Sequence, residues 1–166
     1  MQSENRPDAE KLRDLIKGIK FAMLTTLSED NQLHSRPMTL QETEFDGDLW
    51  FIIKRTTAPA NEIEDNRQVN LAFSDVKNFK FISVAGEGSI FQDRQKAEEL
   101  WNPFYKTWFP EGLEDPNLAV LKVTVKSADV WDTPSSKVVR LVGFVKGALT
   151  GKHPSELGHR DHLQLN

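Results

Sequence analysis

The sequence predicts an α+β domain: a small antiparallel β-barrel with helices confined to its connections. Three observations carry that prediction. Six apolar or alternating runs of strand length lie between residues 21 and 125. The turns joining the early runs are too short for the crossover a parallel βαβ unit needs. Gly86 and Gly88 interrupt the longest run, as glycines do where a strand bulges or turns a barrel corner. At 166 residues the chain is expected to be one domain, residues 1–166, with its core over about 10–150 and a tail over 151–166.

Pro7-Asp8 signals the start of a helix whose Leu12, Leu15, Ile16 and Ile19 share one face and which ends near Gly18. Phe21–Leu27 follows as a buried strand, turned by Ser28–Gln32 into a second strand over 33–41. Asp46-Gly47-Asp48 marks a hairpin, since glycine tolerates the positive φ such a turn requires, and leads into a strand over 49–54. After Arg55–Pro59 a short helix runs through Asn61–Glu64. Val69–Ser74 and Lys80–Phe91 read as strands four and five, and Asp93 is placed to cap a helix over Gln95–Trp101. Leu118–Val125 alternates cleanly and supplies the sixth strand. Further on, Val138, Leu141, Val142, Val145 and Leu149 fit a helix better than a strand.

Composition narrows the function. The chain has no cysteine, which removes disulfides, thiolate nucleophiles and Cys-based metal sites. A net charge of −4 argues against general attraction to nucleic acid. No run approaches the roughly 18 apolar residues of a membrane span. The polar opening Met1–Asn5 does not read as a signal peptide, so a cytoplasmic location is expected.

Four segments offer chemistry. Ser35-Arg36-Pro37-Met38 lies within a strand, and a proline there implies a sheet edge. Its arginine is then either a solvated edge residue or a planar donor for an anionic or heteroaromatic ligand. Thr56-Thr57-Ala58-Pro59-Ala60-Asn61 opens a helix; its hydroxyls and free N–H groups either cap the helix or cradle a phosphate, with Lys54 and Arg55 nearby. Residues 98–116 gather Trp101, Phe104, Tyr105, Trp108 and Phe109 among three prolines, either as a cap on the barrel or as a cover for a planar ligand or partner. His153, His159 and His162 fit no helical metal pair and read as part of a polar tail. His34 has no evident nucleophile or acid partner, and Glu62, Glu64 and Asp65 read as solvent-facing.

Taken together, Ser35–Met38, Leu49-Trp50-Phe51-Ile52, Glu62–Leu71 and Ser83–Gly88 resemble the general stress protein branch of the pyridoxamine 5′-phosphate oxidase-like, FMN-binding split-barrel family. Leu100–Pro103, Trp108–Pro110, Asp115-Pro116 and Val130-Trp131-Asp132 are similar to a pattern typical of that branch. The resemblance spans roughly residues 10–150. It implies a six-stranded antiparallel split barrel that forms a homodimer, with a flavin at each of two sites between subunits. Ser35, Arg36, Pro37 and Met38 would then lie along the flavin, and Phe51, Ile52 and Ile53 would support its ring and ribityl chain. Thr56 and Thr57 would meet the phosphate, while Trp131 and Trp108 would close the site from the opposite subunit. The implied cofactor is FMN, with FAD or a deazaflavin as alternatives, acting on a small molecule the sequence does not specify.

Two departures qualify the inheritance. Relatives commonly carry a lysine where this chain has Ala58 and Pro59, and loss of that cation weakens a phosphate site by about 1–3 kcal/mol if nothing replaces it. The basic substrate contacts and C-terminal arginine motif of true pyridoxamine phosphate oxidases are not evident, so the vitamin B6 reaction is not implied with the fold. The expectation is a flavin-binding stress-type protein with a redox role. Its first alternative is a non-enzymatic ligand- or protein-binding split-barrel module with weak flavin affinity, and its second a pyridoxamine 5′-phosphate oxidase.

Overall fold

A computed structural model describes residues 6–40, 45–132 and 159–165. Its elements run α1 (Arg6–Ile16), β1 (Phe21–Leu27), β2 (Leu33–Thr39), β3 (Asp48–Lys54), α2 (Ala58–Asp65), β4 (Gln68–Asp75), β5 (Lys80–Phe91), α3 (Arg94–Leu100), β6 (Leu118–Asp132) and β7 (His159–Gln164). Short 3₁₀ turns, Pro103–Thr107 and Gly112–Glu114, lie between α3 and β6. Asp93 caps α3 by accepting from the Lys96 N–H at 3.0 Å, as its sequence signal requires. Gly47 has φ 112° in the turn before β3, but that turn does not close the expected hairpin: β2 pairs with β1, and β3 pairs with β6.

All pairings are antiparallel, as expected, but the sheet corrects two expectations. It has seven strands, not six, and its path β2-β1-β4-β5-β6-β3 is open, with β7 branching from β6. The added strand comes from residues that read as a polar tail. His159, Arg160 and Asp161 carry no apolar alternation, yet Leu163 and Leu165 are buried, and β7 pairs with β6 from Ser127 to Asp132. That pairing needs a longer β6 than the predicted 118–125, and β6 indeed runs to Asp132. α1 braces the strand: Lys11 forms an ion pair with Asp161, and Asp8 accepts from the Gln164 N–H at 3.1 Å. The helix expected over 138–149 lies outside the described residues.

Gly86 and Gly88 do what their place in a long strand suggests. The β5–β6 register shifts between Ala85 and Gly86. A Cβ on Gly86 would lie 2.6 Å from the Thr124 carbonyl oxygen, and one on Gly88 would lie 2.8 Å from a methyl of Ile63 on α2. Glycine therefore lets β6 and α2 close onto β5.

Two apolar clusters hold the layers together. The larger covers the inner face of the sheet with Leu24, Phe51, Ile63, Leu71, Phe73, Val84, Leu121 and Val123, joined by Leu12 and Ile16 of α1. The smaller lies across β3 and β6, where Ile52 and Val120 meet Ala97 and Leu100 of α3 with Tyr105 and Phe109. The aromatic segment is thus divided: Trp101, Tyr105 and Phe109 stack inward as a cap, while Phe104 and Trp108 are left exposed.

Candidate functional site

The topology sets the site. β2 and β3 are consecutive in sequence but stand at opposite ends of the sheet path, and they carry the candidate residues 35–38 and 51–53. Pro37 therefore sits on an end strand, where a missing N–H costs no ladder bond. α2, which follows β3 directly, packs against β1 and β5 and returns toward β2.

Strand alternation divides Ser35-Arg36-Pro37-Met38 between two faces. Ser35 pairs with Thr25 and Pro37 with Met23, on the outer face; Arg36 pairs with Leu24 and Met38 with Ala22, on the core side. A ligand lying along this segment meets two of the four side chains, and the others contribute through the backbone. Phe51, Ile52 and Ile53 are all buried, Phe51 and Ile53 in the larger cluster and Ile52 in the smaller. Their side chains stiffen β3 from within.

Thr56 is exposed at the end of β3. The Thr57 hydroxyl donates to the Lys54 carbonyl at 2.7 Å, and it does not cap α2. Lys54 leans over the Phe109 ring, 5.7 Å from its centroid, and Arg55 donates to Gln92 at 3.0 Å. Both cations flanking the predicted phosphate cradle thus point toward the aromatic cap and the end of β5.

Arg36 turns instead into a network that sequence reasoning missed. One of its amino groups donates to the Thr26 hydroxyl and the other to Glu62 Oε2 at 3.1 Å, while Thr26 itself donates to the same carboxylate oxygen. His34 Nδ1 lies 3.0 Å from Glu62 Oε1, so its N–H donates to the carboxylate. Glu62 was expected to face solvent; it is 9% exposed and joins α2 to both β1 and β2. The Thr26 hydroxyl above all, with His34 and Arg36, holds its carboxyl below the usual carboxylate range, against the upward effect of burial. The missed signal was Thr26. It follows Ala22 and Leu24 on the inward face of β1, and a hydroxyl at such a position needs a partner. Ser35 points to the other face and bonds Thr25 at 2.6 Å, so His34 and Ser35 form no catalytic pair.

The outer face shows the opposite chemistry. Its register lines up Pro37, Met23, Ala72, Ser83, Asp129 and His162 across β2-β1-β4-β5-β6-β7. The next row includes Phe21 on β1, then Phe81 and Trp131 side by side on β5 and β6, with Arg160 5.6 Å from the Trp131 ring. Phe21 is 58% exposed, Met23 42%, and Phe81 and Trp131 40% each. Trp131 lies four strand steps from Pro37, roughly 19 Å at about 4.8 Å per step. Along the sheet of one subunit the two residues therefore stand far apart. Trp108 packs edge-on against Phe104, 4.8 Å between centroids, and both remain exposed.

The description "Pyridoxamine 5′-phosphate oxidase like" matches residues 7–155. The chain belongs to that family. It is 30% identical over 159 residues to Protein bli-3 of Neurospora crassa, covering 88% of this chain and 76% of that protein. Among solved structures it is 32% identical to the general stress FMN/FAD binding protein of Xanthomonas citri, with TM-score 0.66 and coverage of 79% and 92%. The General Stress Protein 26 of Bacillus anthracis matches at 26% identity and TM-score 0.65, covering 74% of this chain and 92% of that one. A Jannaschia protein, at 24% identity and TM-score 0.73 over 93% and 96%, supports the fold alone. The family member described here therefore sits with the general stress proteins, as residues 35–38, 62–71 and 100–116 suggested. No described helix is long and apolar enough to cross a membrane.

Proposed function

We propose that this family member is a flavin-binding protein in which two copies of the chain enclose FMN between them and present it for redox chemistry. The observation that carries the reading is the outer face, where Phe21, Met23, Phe81 and Trp131 are exposed on the same side of the sheet as Ser35 and Pro37. Several large apolar side chains exposed on one face are typical of an interaction surface. The distance from Pro37 to Trp131 supports a site completed by a second subunit.

The residues fit the flavin ring better than they fit its phosphate. Pro37, Met23 and Ala72 offer a flat, weakly polar wall, and the Ser35–Thr25 and Asn70–Ser83 hydrogen-bonded pairs place polar groups beside it. Thr56 and the first turn of α2 would hold the phosphate, with no lysine at position 58 or 59. When bound, the flavin supplies the hydride or electron chemistry, and the protein contributes orientation and exclusion of water.

Titrating the purified protein with FMN tests this reading. Saturable quenching of flavin fluorescence, and its loss in Trp131→Ala, supports it. Absence of binding at high micromolar FMN overturns it in favour of a non-enzymatic module. The lysine-free cradle favours that second reading, and in that case the outer face would bind another ligand or protein without flavin.

A further inference from the structure

We propose that the outward half of the aromatic segment, Phe104 and Trp108 with the carboxylates around them, is a docking surface for an arginine-bearing basic segment of another protein. The inference uses none of the residues on which the flavin reading rests.

Local structure fixes both rings. Asn102 accepts from the Phe104 N–H at 2.8 Å and opens the 3₁₀ turn Pro103–Thr107, whose first residue is a proline with its φ already set. The N–H groups of Trp108 and Phe109 both donate to the Tyr105 carbonyl, at 3.0 and 2.9 Å. Tyr105 and Phe109 are thereby buried in the smaller cluster, while Phe104 and Trp108 are 54% and 48% exposed. The inward rings close the cap without them. The two outward rings meet edge to face with their planes at 63°, so they form an aromatic corner that is ordered before any partner arrives.

Charge says what fits the corner. Residues 98–116 hold five of the chain's 25 acidic side chains and one of its 21 basic ones, so the net −4 of the whole chain is the net charge of this segment. Glu98, Glu99, Glu111 and Glu114 are all exposed. Lys96 pairs with Glu99 at 2.9 Å and Arg94 with Glu114, which ties the Gly112–Glu114 turn to α3. Counting both cations, residues 94–116 still carry two more acidic than basic side chains.

An exposed indole among carboxylates suits one chemistry. A guanidinium lies flat on a ring face, where tryptophan gives the strongest cation–π attraction, and its N–H fork reaches a neighbouring carboxylate. A lysine gains the charge but not the stacking. An acidic or purely apolar partner would desolvate the carboxylates and return no counter-charge.

The probe is a peptide of about twelve residues with arginines spaced by glycine and serine, titrated into the full chain at low salt. Its twin carries citrulline for every arginine, which keeps the planar shape and removes the charge. The wild type is expected to bind the arginine peptide about tenfold more tightly than the citrulline peptide. Trp108→Ala and Phe104→Ala should each weaken binding about fivefold, and Glu111→Gln about twofold, the last loss shrinking as salt is added. Both rings are exposed, so these substitutions leave the buried Tyr105 and Phe109 in place. Trp131→Ala, on the outer face, is the control and should leave the peptide affinity unchanged. Equal affinity in the wild type, Trp108→Ala and Phe104→Ala would overturn the inference, because the attraction would then be that of an acidic chain for any polycation. Equal affinity for the two peptides would overturn it as well. Loss of FMN binding in Trp108→Ala would put that ring in the flavin site, and self-association abolished by Trp108→Ala would make a second copy the occupant; either result ends the proposal.

Discussion

The two faces of β2 and its neighbours hold the same kinds of residue under opposite rules. On the core side, Arg36, His34, Thr26 and Glu62 are mutually bonded, and none of their buried side-chain atoms lacks a partner. On the outer side, Phe21, Met23, Phe81 and Trp131 are left open. The inner network completes itself within one chain, and the outer face does not. The difference separates a part that belongs to folding from a part free for the association proposed above: the inner network joins α2 to an end of the sheet, and the outer face keeps large apolar side chains exposed.

Substitutions can break that contrast, beginning with the largest effect. Phe51→Ala, in the larger cluster, should cost about 3–5 kcal/mol in urea unfolding. Phe21→Ala on the outer face should change subunit stability by less than about 1 kcal/mol. Its signature should instead be an unfolding midpoint that no longer depends on protein concentration. Comparable losses of subunit stability for the two would erase the distinction between the faces.

Glu62→Ala is expected to cost about 2–4 kcal/mol, since it strands a partly buried guanidinium and the Thr26 hydroxyl. Gly86→Ala should cost about 1–3 kcal/mol, because the new methyl group meets the Thr124 backbone and cannot be accommodated by a rotamer change. Both are read from denaturant midpoints.

The smallest effect sharpens the account of Glu62. Its folded carboxyl is held below the unfolded value of 4.5, so its contribution to stability is complete above that pH and disappears as pH falls through the depressed folded value. The stability difference between wild type and Glu62→Gln should therefore be constant near neutrality and shrink below pH 4.5. A difference that stays constant down to pH 2 would remove Glu62 as the titrating group.

Much of this was legible beforehand. Apolar alternation located β1, β4 and β5, because each buries one face and exposes the other, and a continuous apolar run located β3. The Asp93 signal gave a cap, whereas Asp46-Gly47-Asp48 gave a turn but not its expected hairpin, since β3 is recruited by the distant β6. β7 was not legible: an extra strand in polar company is specified by the edge it pairs with, here the long β6, and not by its own pattern. The family resemblance drew attention to residues 35–38 as a unit, but only the register separates Ser35 and Pro37 from Arg36 and Met38. Glu62 escaped notice for a related reason. Its neighbours Glu64 and Asp65 are indeed exposed, and helical geometry alone does not reveal that His34, Arg36 and Thr26 meet it from two strands.

The central claim is that the open face is half of a shared flavin site. Native mass spectrometry of the FMN-loaded protein tests it most directly, since it counts subunits and bound ligand together. The account predicts a species of twice the 18.9 kDa chain carrying two flavins, reduced to a flavin-free single chain when Phe21, Phe81 and Trp131 are replaced by serine. A wild-type protein that remains a single chain of 18.9 kDa at micromolar concentration, with or without flavin, would contradict it.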